Sequence, residues 1–543
     1  MLMRNLERLR GCVIFVAATA LILGGPAGAA EKKAKNIILF IADGSGFNTF
    51  LAGSYYEYGA QGQQPYEQAG WVAYAARTAM LVRGGKPSGE VNQDTELLYD
   101  ATKAWEKDPE KAVKGSGPFK GYNYRKKNPT DSAAAATALA TGIRTYNAGI
   151  GYANGPEEKG TRLSRLTIAE LAKMSGRSAG VVTSVPWSHA TPAALGGAHK
   201  LTRNDYAGIA NEMLTAGVLD VIMGAGNPDY DRNGLPRIPE YEDDYKYVGG
   251  PETWEKLKQG THPKKWTLIQ TRHDFESLTS GPTPAKVVGT ACAAATLQQE
   301  RSPTRDWDGD GYINSRDLLV SPAYGDPLIP TVPTLATMTR AALNVLDNNP
   351  NGFYLMVEGG APDWANHANQ PGRMIEEIVD FNHAVAAAVE WVNANSSWDQ
   401  TLILVTSDHE TGMLWGPESD RIPFQPIVNN GAGNMPGMLH NSGDHTNSLV
   451  PLFARGPGSE LLASLVVDND PRHGDVVDNV AVFEVMKRQI PQALLARVNR
   501  AARQRIESPA GAPYLRPGTV SPTTKEKTAA DTNKVKEDPG ARD

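Results

Sequence analysis

The run Asn36-Ile-Ile-Leu-Phe-Ile-Ala-Asp43 sets six apolar residues in a row between an asparagine and an aspartate. Alternating apolar and polar residues would mark a strand with one wet face. An unbroken, isoleucine-rich run marks a strand buried on both faces, as in a parallel sheet. The run ends in Asp43-Gly44, so a carboxylate stands at the strand's carboxyl end, where open α/β sheets place their ligands. Taken alone, an aspartate before a glycine is an ordinary turn former. The pattern recurs, however. Ala179-Gly-Val-Val-Thr-Ser-Val185 precedes His189-Ala-Thr-Pro192, Phe353-Tyr-Leu-Met-Val-Glu358 ends in a carboxylate, and Thr401-Leu-Ile-Leu-Val-Thr406 leads into Ser-Asp408-His409. Helical periodicity is found at 164–174, 206–214, 253–258 and 374–393, with further strands expected at 218–223, 266–270 and 450–457 and a closing helix at 476–488. This alternation predicts an α/β fold, with a large, mostly parallel central β-sheet and helices on both faces. Residues 51–127 are polar and weakly patterned and read as surface loops and short helices.

A second stretch, Asn128-Pro-Thr-Asp-Ser-Ala-Ala-Ala-Ala-Thr-Ala-Leu-Ala-Thr-Gly142, carries the chemistry. Pro129 keeps Asn128 out of the helical region, and Asp131 or Ser132 then stands where an alanine-rich helix begins, with Gly142 as its stop. A hydroxyl at a helix start faces unpaired N–H groups and the positive end of the dipole, a good place to hold a phosphate. Ser132 is therefore either a capping residue or a nucleophile, the latter needing a partner that lowers its pKa.

The first 30 residues have a different character. Arg4, Arg8 and Arg10 precede an apolar run from Cys12 to Leu23, which is followed by small residues ending at Ala30. The apolar run is too short to span a bilayer comfortably, and the pattern is that of a cleaved secretory signal over 1–30. The expected product is exported, periplasmic or extracellular, and has no membrane attachment after cleavage. Cleavage would remove three arginines and one glutamate, taking the net charge from −6 to −8. That acidic balance excludes a non-specific nucleic-acid-binding surface. Of the two cysteines only Cys292 remains, so no internal disulfide forms, and a core of this size needs none. Residues 31–507 read as one catalytic domain, and 508–543, rich in Pro, Lys, Thr and Asp, as a disordered tail.

Two further motifs offer metal ligands. Asp306-Trp-Asp-Gly-Asp-Gly-Tyr-Ile-Asn-Ser-Arg-Asp317 has the spacing of a calcium loop. Its ligands would be Asp306, Asp308, Asp310, Tyr312, Asn314 and Asp317, and Gly311 allows the sharp turn. Aspartate stands at the last position, and the segment resembles the loop of a dockerin module. A single loop reads as a structural clip rather than a switch. Asp363 and His367, four apart on a helical turn, suit zinc, whereas His383 lies on the apolar-striped helix at 374–393 and reads as structural. Oxygen and imidazole donors without thiolates suit Zn²⁺ and Mg²⁺.

Asp43-Gly, Thr130-Asp-Ser-Ala-Ala, His189-Ala-Thr-Pro, Val357-Glu-Gly-Gly-Ala-Pro-Asp363 with His367, Thr406-Ser-Asp-His409 and His445-Thr occur in this order. Together they resemble the motif set of the bacterial and animal alkaline phosphatases, across residues 36–490. The resemblance implies a metal-dependent phosphomonoesterase with an alkaline-phosphatase-like three-layer fold, acting on small phosphomonoesters and releasing inorganic phosphate, with a homodimer as the expected assembly. It implies Ser132 as the phosphorylated nucleophile and Arg203 as the phosphate clamp. One zinc would be held by Asp363, His367 and His445, with His440 as the neighbouring alternative to His445. A second zinc would be held by Asp43, Asp408 and His409, and a magnesium by Asp43, Thr191 and Glu358. His189 and Trp364 match a subset of marine bacterial enzymes at two variable positions next to the metals. The competing readings are a phosphodiesterase or sulfatase on the same metal scaffold, or a calcium-dependent binding protein.

Overall fold

The computed structural model describes residues 32–110, 117–155 and 165–507, the last seven by their backbone. The expected signal segment and the expected disordered tail lie outside the described residues. In chain order the strands are β1 (Asn36–Ala42), β2 (Val72–Arg77), β3 (Ser178–Pro186), β4 (Val221–Ala225), β5 (Thr267–Ile269), β6 (Val287–Thr290), β7 (Phe353–Gly359) and β8 (Thr401–Thr406). The two-residue strands β9 (Glu410–Thr411), β10 (Leu414–Trp415), β11 (Leu439–His440) and β12 (His445–Thr446) follow, then β13 (Val450–Arg455), β14 (Val466–Asp470) and β15 (Gly474–Asp478).

Among the described residues, eleven of these strands form one sheet in the order β14-β15-β2-β13-β8-β1-β7-β3-β4-β6-β5. β1 lies at its centre, parallel to β7 on one side and β8 on the other. Every residue of β1 is buried, as the unbroken apolar run requires. Ile37, Leu39 and Ile41 point into the core on one face, with the helices Ser132–Thr141, Tyr206–Thr215 and Val480–Arg488. Ile38 and Phe40 point into the other core, against Leu335–Leu346 and Pro371–Asn395. Register levels the strand tips, since Ile41 pairs with both Glu358 and Thr406, and Thr183 pairs with Glu358. The carboxyl ends of β1, β3, β7 and β8 therefore open on one edge. No helix among the described residues is long and apolar enough to cross a membrane.

The structure departs from the sequence-based expectation in several places. Residues 51–127 are not only loops and short helices: the helix Phe47–Tyr58 reaches into them, and β2 is an interior strand, antiparallel to β13 and parallel to β15. Its sequence, Val-Ala-Tyr-Ala-Ala-Arg, is alanine-rich and low in strand propensity, and pairing on both sides decides its state. The helix expected at 476–488 starts at Val480, because Val476 and Val477 belong to β15 and pair with Ala75 and Ala76, and it does not close the fold, since the helix Gln492–Glu507 follows it. The helix expected from 164 starts at Ile168. There Thr167 and Glu170 form a reciprocal capping box, the Glu170 carboxylate accepting the Thr167 N–H at 2.8 Å.

The long helix Pro371–Asn395 carries a buried charge network. Arg301 donates to both oxygens of Glu376 at 2.7 and 2.9 Å, and Arg373 donates to Asp326 at 2.9 Å. Glu377 beside them is buried, and its Oε1 meets no hydrogen-bond partner among the described residues. Burial, with Asp380 and Glu376 nearby, pushes Glu377 up to about 8. An acid raised in the folded state contributes stability that is complete at low pH and lost as pH rises through the folded value. Glu377→Met is therefore expected to match the wild type near pH 5 and to be more stable near pH 9. The gain should be on the order of 2–4 kcal/mol, read by thermal unfolding across that range.

Candidate active site

The helix Ser132–Thr141 is capped by Asp131, whose carboxylate accepts the Ala134 N–H at 3.1 Å. The capping reading thus belongs to Asp131. Ser132 occupies the first helical position, almost wholly buried, with its hydroxyl 3.1 Å from His409 Nε2. The second oxygen of Asp131 accepts the Ala148 N–H at 2.9 Å and lies 3.5 Å from Arg203 Nη1, which ties the arginine to the start of the serine's helix.

Opposite this helix start are the strand tips. His409, just beyond β8, has Nε2 3.2 Å from Asp408 Oδ2 and 3.6 Å from Asp43 Oδ1. The Gly44 and His409 N–H groups hold Asp408 Oδ1 at 3.2 and 2.9 Å. Asp363, in the helix Ala361–His367, lies 3.5 Å from His367 Nε2 and 3.6 Å from His445 Nε2. The other ring nitrogens are committed, His367 Nδ1 to the Gly443 carbonyl at 2.7 Å and His445 Nδ1 to the Thr130 carbonyl at 2.9 Å. A carbonyl only accepts, so both protons sit on Nδ1 and both Nε2 lone pairs face Asp363. His445, not His440, is brought to this point. His440 Nε2 lies 3.0 Å from Asn366 Oδ1, and burial pushes the ring down to about 4.

Two sets of ligand atoms lie within 4.8 Å of one another here, Asp43 with Asp408 and His409, and Asp363 with His409 and His445. Glu358, at the end of β7, accepts a hydrogen bond from the Thr183 hydroxyl, and the buried Thr191 lies close to the same carboxylate. Burial pushes Glu358 up to about 7 and Asp408 up to about 6, neighbouring acids adding to both. So many buried carboxylates, with imidazole lone pairs turned toward them and no thiolate, fit divalent cations.

His189 stands at the start of the helix Ala190–Leu195, and its ring packs against Tyr206, Tyr247 and Trp364 at centroid distances of 5.2 to 5.4 Å. Elsewhere in the chain, Asp306, Asp308 and Asp317 form a third set. Asp310 accepts the Tyr312 N–H at 2.8 Å, while Asn314 accepts the Arg316 N–H at 2.9 Å and reaches the Tyr312 carbonyl at 3.4 Å, so these residues turn on the loop's own backbone.

Two residues support Asp363 without having been singled out as site residues. Gly44 has φ +66°, and a Cβ there would lie 2.4 Å from Asp363 Oδ1, so only glycine lets β1 approach Asp363. Thr411 donates to Asp363 Oδ1 at 2.5 Å. It stands two residues after His409, a spacing that places both side chains on one side of an extended segment.

A family model described as Alkaline phosphatase matches residues 112–435. Alkaline phosphatase 4 of Bacillus subtilis is 31% identical over 291 residues, 52% of this chain and 50% of that protein, so the chain spans about half the length of that relative. The alkaline phosphatase of Escherichia coli is 26% identical over 464 residues, 81% of this chain and 85% of that enzyme. Among solved structures, the alkaline phosphatase of the Antarctic bacterium TAB5 superposes with a TM-score of 0.51 at 23% identity, covering 85% of this chain and 98% of that one.

Proposed function

This chain belongs to the alkaline phosphatase family, and from that premise we propose that it is an exported enzyme hydrolysing phosphate monoesters through a phosphoserine at Ser132. The observation that carries the reading is the Ser132 hydroxyl at a helix start, 3.1 Å from His409 among the gathered acids and imidazoles. Asp363, His367 and His445 would hold one zinc, Asp43, Asp408 and His409 a second, and Asp43, Thr191 and Glu358 a magnesium. When bound, such ions supply Lewis acidity that favours a serine alkoxide and stabilises the entering and leaving oxygens.

The chain's own residues do the rest. Ser132 Oγ bonds to phosphorus as the bond to the leaving alcohol oxygen breaks, in line with it. Water then attacks the phosphoserine from the opposite side, releasing inorganic phosphate and restoring the hydroxyl. Arg203, held by Asp131, presents its planar fork to two equatorial oxygens, and the N–H groups of the helix start face the same charge. Because both groups are fixed beforehand, they stabilise charge without reorganising. Brief reaction with a phosphomonoester followed by an acid quench should leave a phosphate on the peptide containing Ser132, detected by mass spectrometry. No modified peptide under any metal condition would count against the covalent route.

Trp364 brings an aromatic ring and no positive charge to this edge, so product phosphate is held weakly. Trp364→Lys is expected to lower the inhibition constant for phosphate about tenfold, one unit charge near the anion giving roughly 1 kcal/mol or more. An unchanged constant would defeat this account. The 306–317 loop is proposed as a calcium clip. Calcium should raise the melting temperature of the wild type, and Asp306→Ala should abolish that rise without changing activity.

A further inference from the structure

Arg125 ends the helix Lys120–Arg125 and is only 3% exposed. A guanidinium so placed needs partners. Nε donates to the Ala104 carbonyl at 3.1 Å, Nη1 donates to the Ser448 hydroxyl at 3.1 Å, and the plane lies 4.3 Å from the centre of the Trp105 ring. Its own carbonyl accepts the Asn447 N–H at 2.8 Å. Two buried acids, Glu410 and Asp470, lie near enough to act on its charge, and Glu410 directly follows Asp408-His409.

Glu410 and Thr446 are cross-strand partners in the β9–β12 ladder, and each immediately follows one of the site histidines, His409 or His445. The Thr446 hydroxyl donates to Glu410 Oε2 and lies 2.8 Å from the Ser448 hydroxyl, so polar contacts run from Arg125 through Ser448 and Thr446 to Glu410. On its other side Glu410 rests on the backbone after Asp43, where a Cβ on Gly46 would lie 2.4 Å from Glu410 Cγ.

A ladder of two residues on each strand makes too few hydrogen bonds to hold its own register. Yet it sets the His409 and His445 rings 3.6 Å apart, tilted by 29°. We infer that Arg125 and Glu410 are positioning residues for the metal centre, with Ser448 and Thr446 as the link, clamping the His409 and His445 strands at the spacing a cation needs. The inference rests on the metal assignments proposed above.

The test is a Zn²⁺ titration of the full chain, stripped of metal, in competition with a chromophoric chelator, alongside urea unfolding of the metal-free protein. Glu410→Ala should weaken zinc binding by about 10- to 100-fold, the usual cost of losing such a support. Glu410→Gln keeps the size and an acceptor for Thr446 and should recover the affinity to within a few-fold. Ser448→Ala cuts only the link and should lose several-fold. A merely space-filling role would move the urea midpoint and leave zinc affinity alone. Should Glu410→Ala fail to fold, Ser448→Ala decides. Folded Glu410→Ala and Ser448→Ala proteins binding zinc within twofold of wild type would overturn the inference while leaving the metal centre intact. A wild type that binds no zinc would instead overturn the metal assignments themselves and the inference with them.

Discussion

Ser132→Ala is expected to lower kcat/KM for a phosphomonoester roughly a thousandfold, about 4 kcal/mol of transition-state stabilisation. The hydroxyl is the sole group the account gives to the covalent step, and alanine fits the first position of an alanine-rich helix without disturbing it. Asp131 still caps that helix and still holds Arg203, so the phosphate site persists. A residual rate above the uncatalysed one should remain, because the fixed charges stay in place. Metal content should be unchanged. Steady-state kinetics and metal analysis on the same preparation check both halves.

His409→Ala should cost more, on the order of 10⁴-fold in kcat/KM, or about 5 kcal/mol. His409 belongs to both sets of gathered ligand atoms and faces Ser132 as well. Its loss leaves Asp43 and Asp408 close together without the imidazole between them. The two variants therefore separate: Ser132→Ala keeps its metals and loses turnover, while His409→Ala loses metal and turnover together. If His409→Ala retained full metal content, its place in the centre would be wrong.

The sheet and the gathering of several candidate ligands at its edge can be read from the sequence because one device repeats. An apolar run fixes a buried strand, and a carboxylate or histidine after it must then stand at the sheet's carboxyl edge, as Asp43, Glu358 and Asp408-His409 do. β2 was hidden because its alanines carry no strand signal, and β14 and β15 because Asp468, Asp470 and Asp475 look like turn residues. Local reading also left His440 and His445 as alternatives. Both lie on two-residue strands, and what separates them is tertiary: Asn366 engages one, and the Thr130 carbonyl orients the other. Ser132 as cap or nucleophile stays open to local reading for the same reason, since the contacts that bear on it are the Asp131 cap and His409, 277 positions along the chain.

The most direct test is phosphate release from a simple aryl phosphomonoester at alkaline pH by the purified protein, before and after chelation and after separate return of zinc, magnesium and calcium. Activity should be lost on chelation and restored by zinc, with magnesium adding to it and calcium alone ineffective. Activity restored by calcium alone would shift the chemistry to the 306–317 loop and contradict the zinc assignments. Absence of monoesterase activity in every metal state would contradict the central claim and send the search to phosphodiesters.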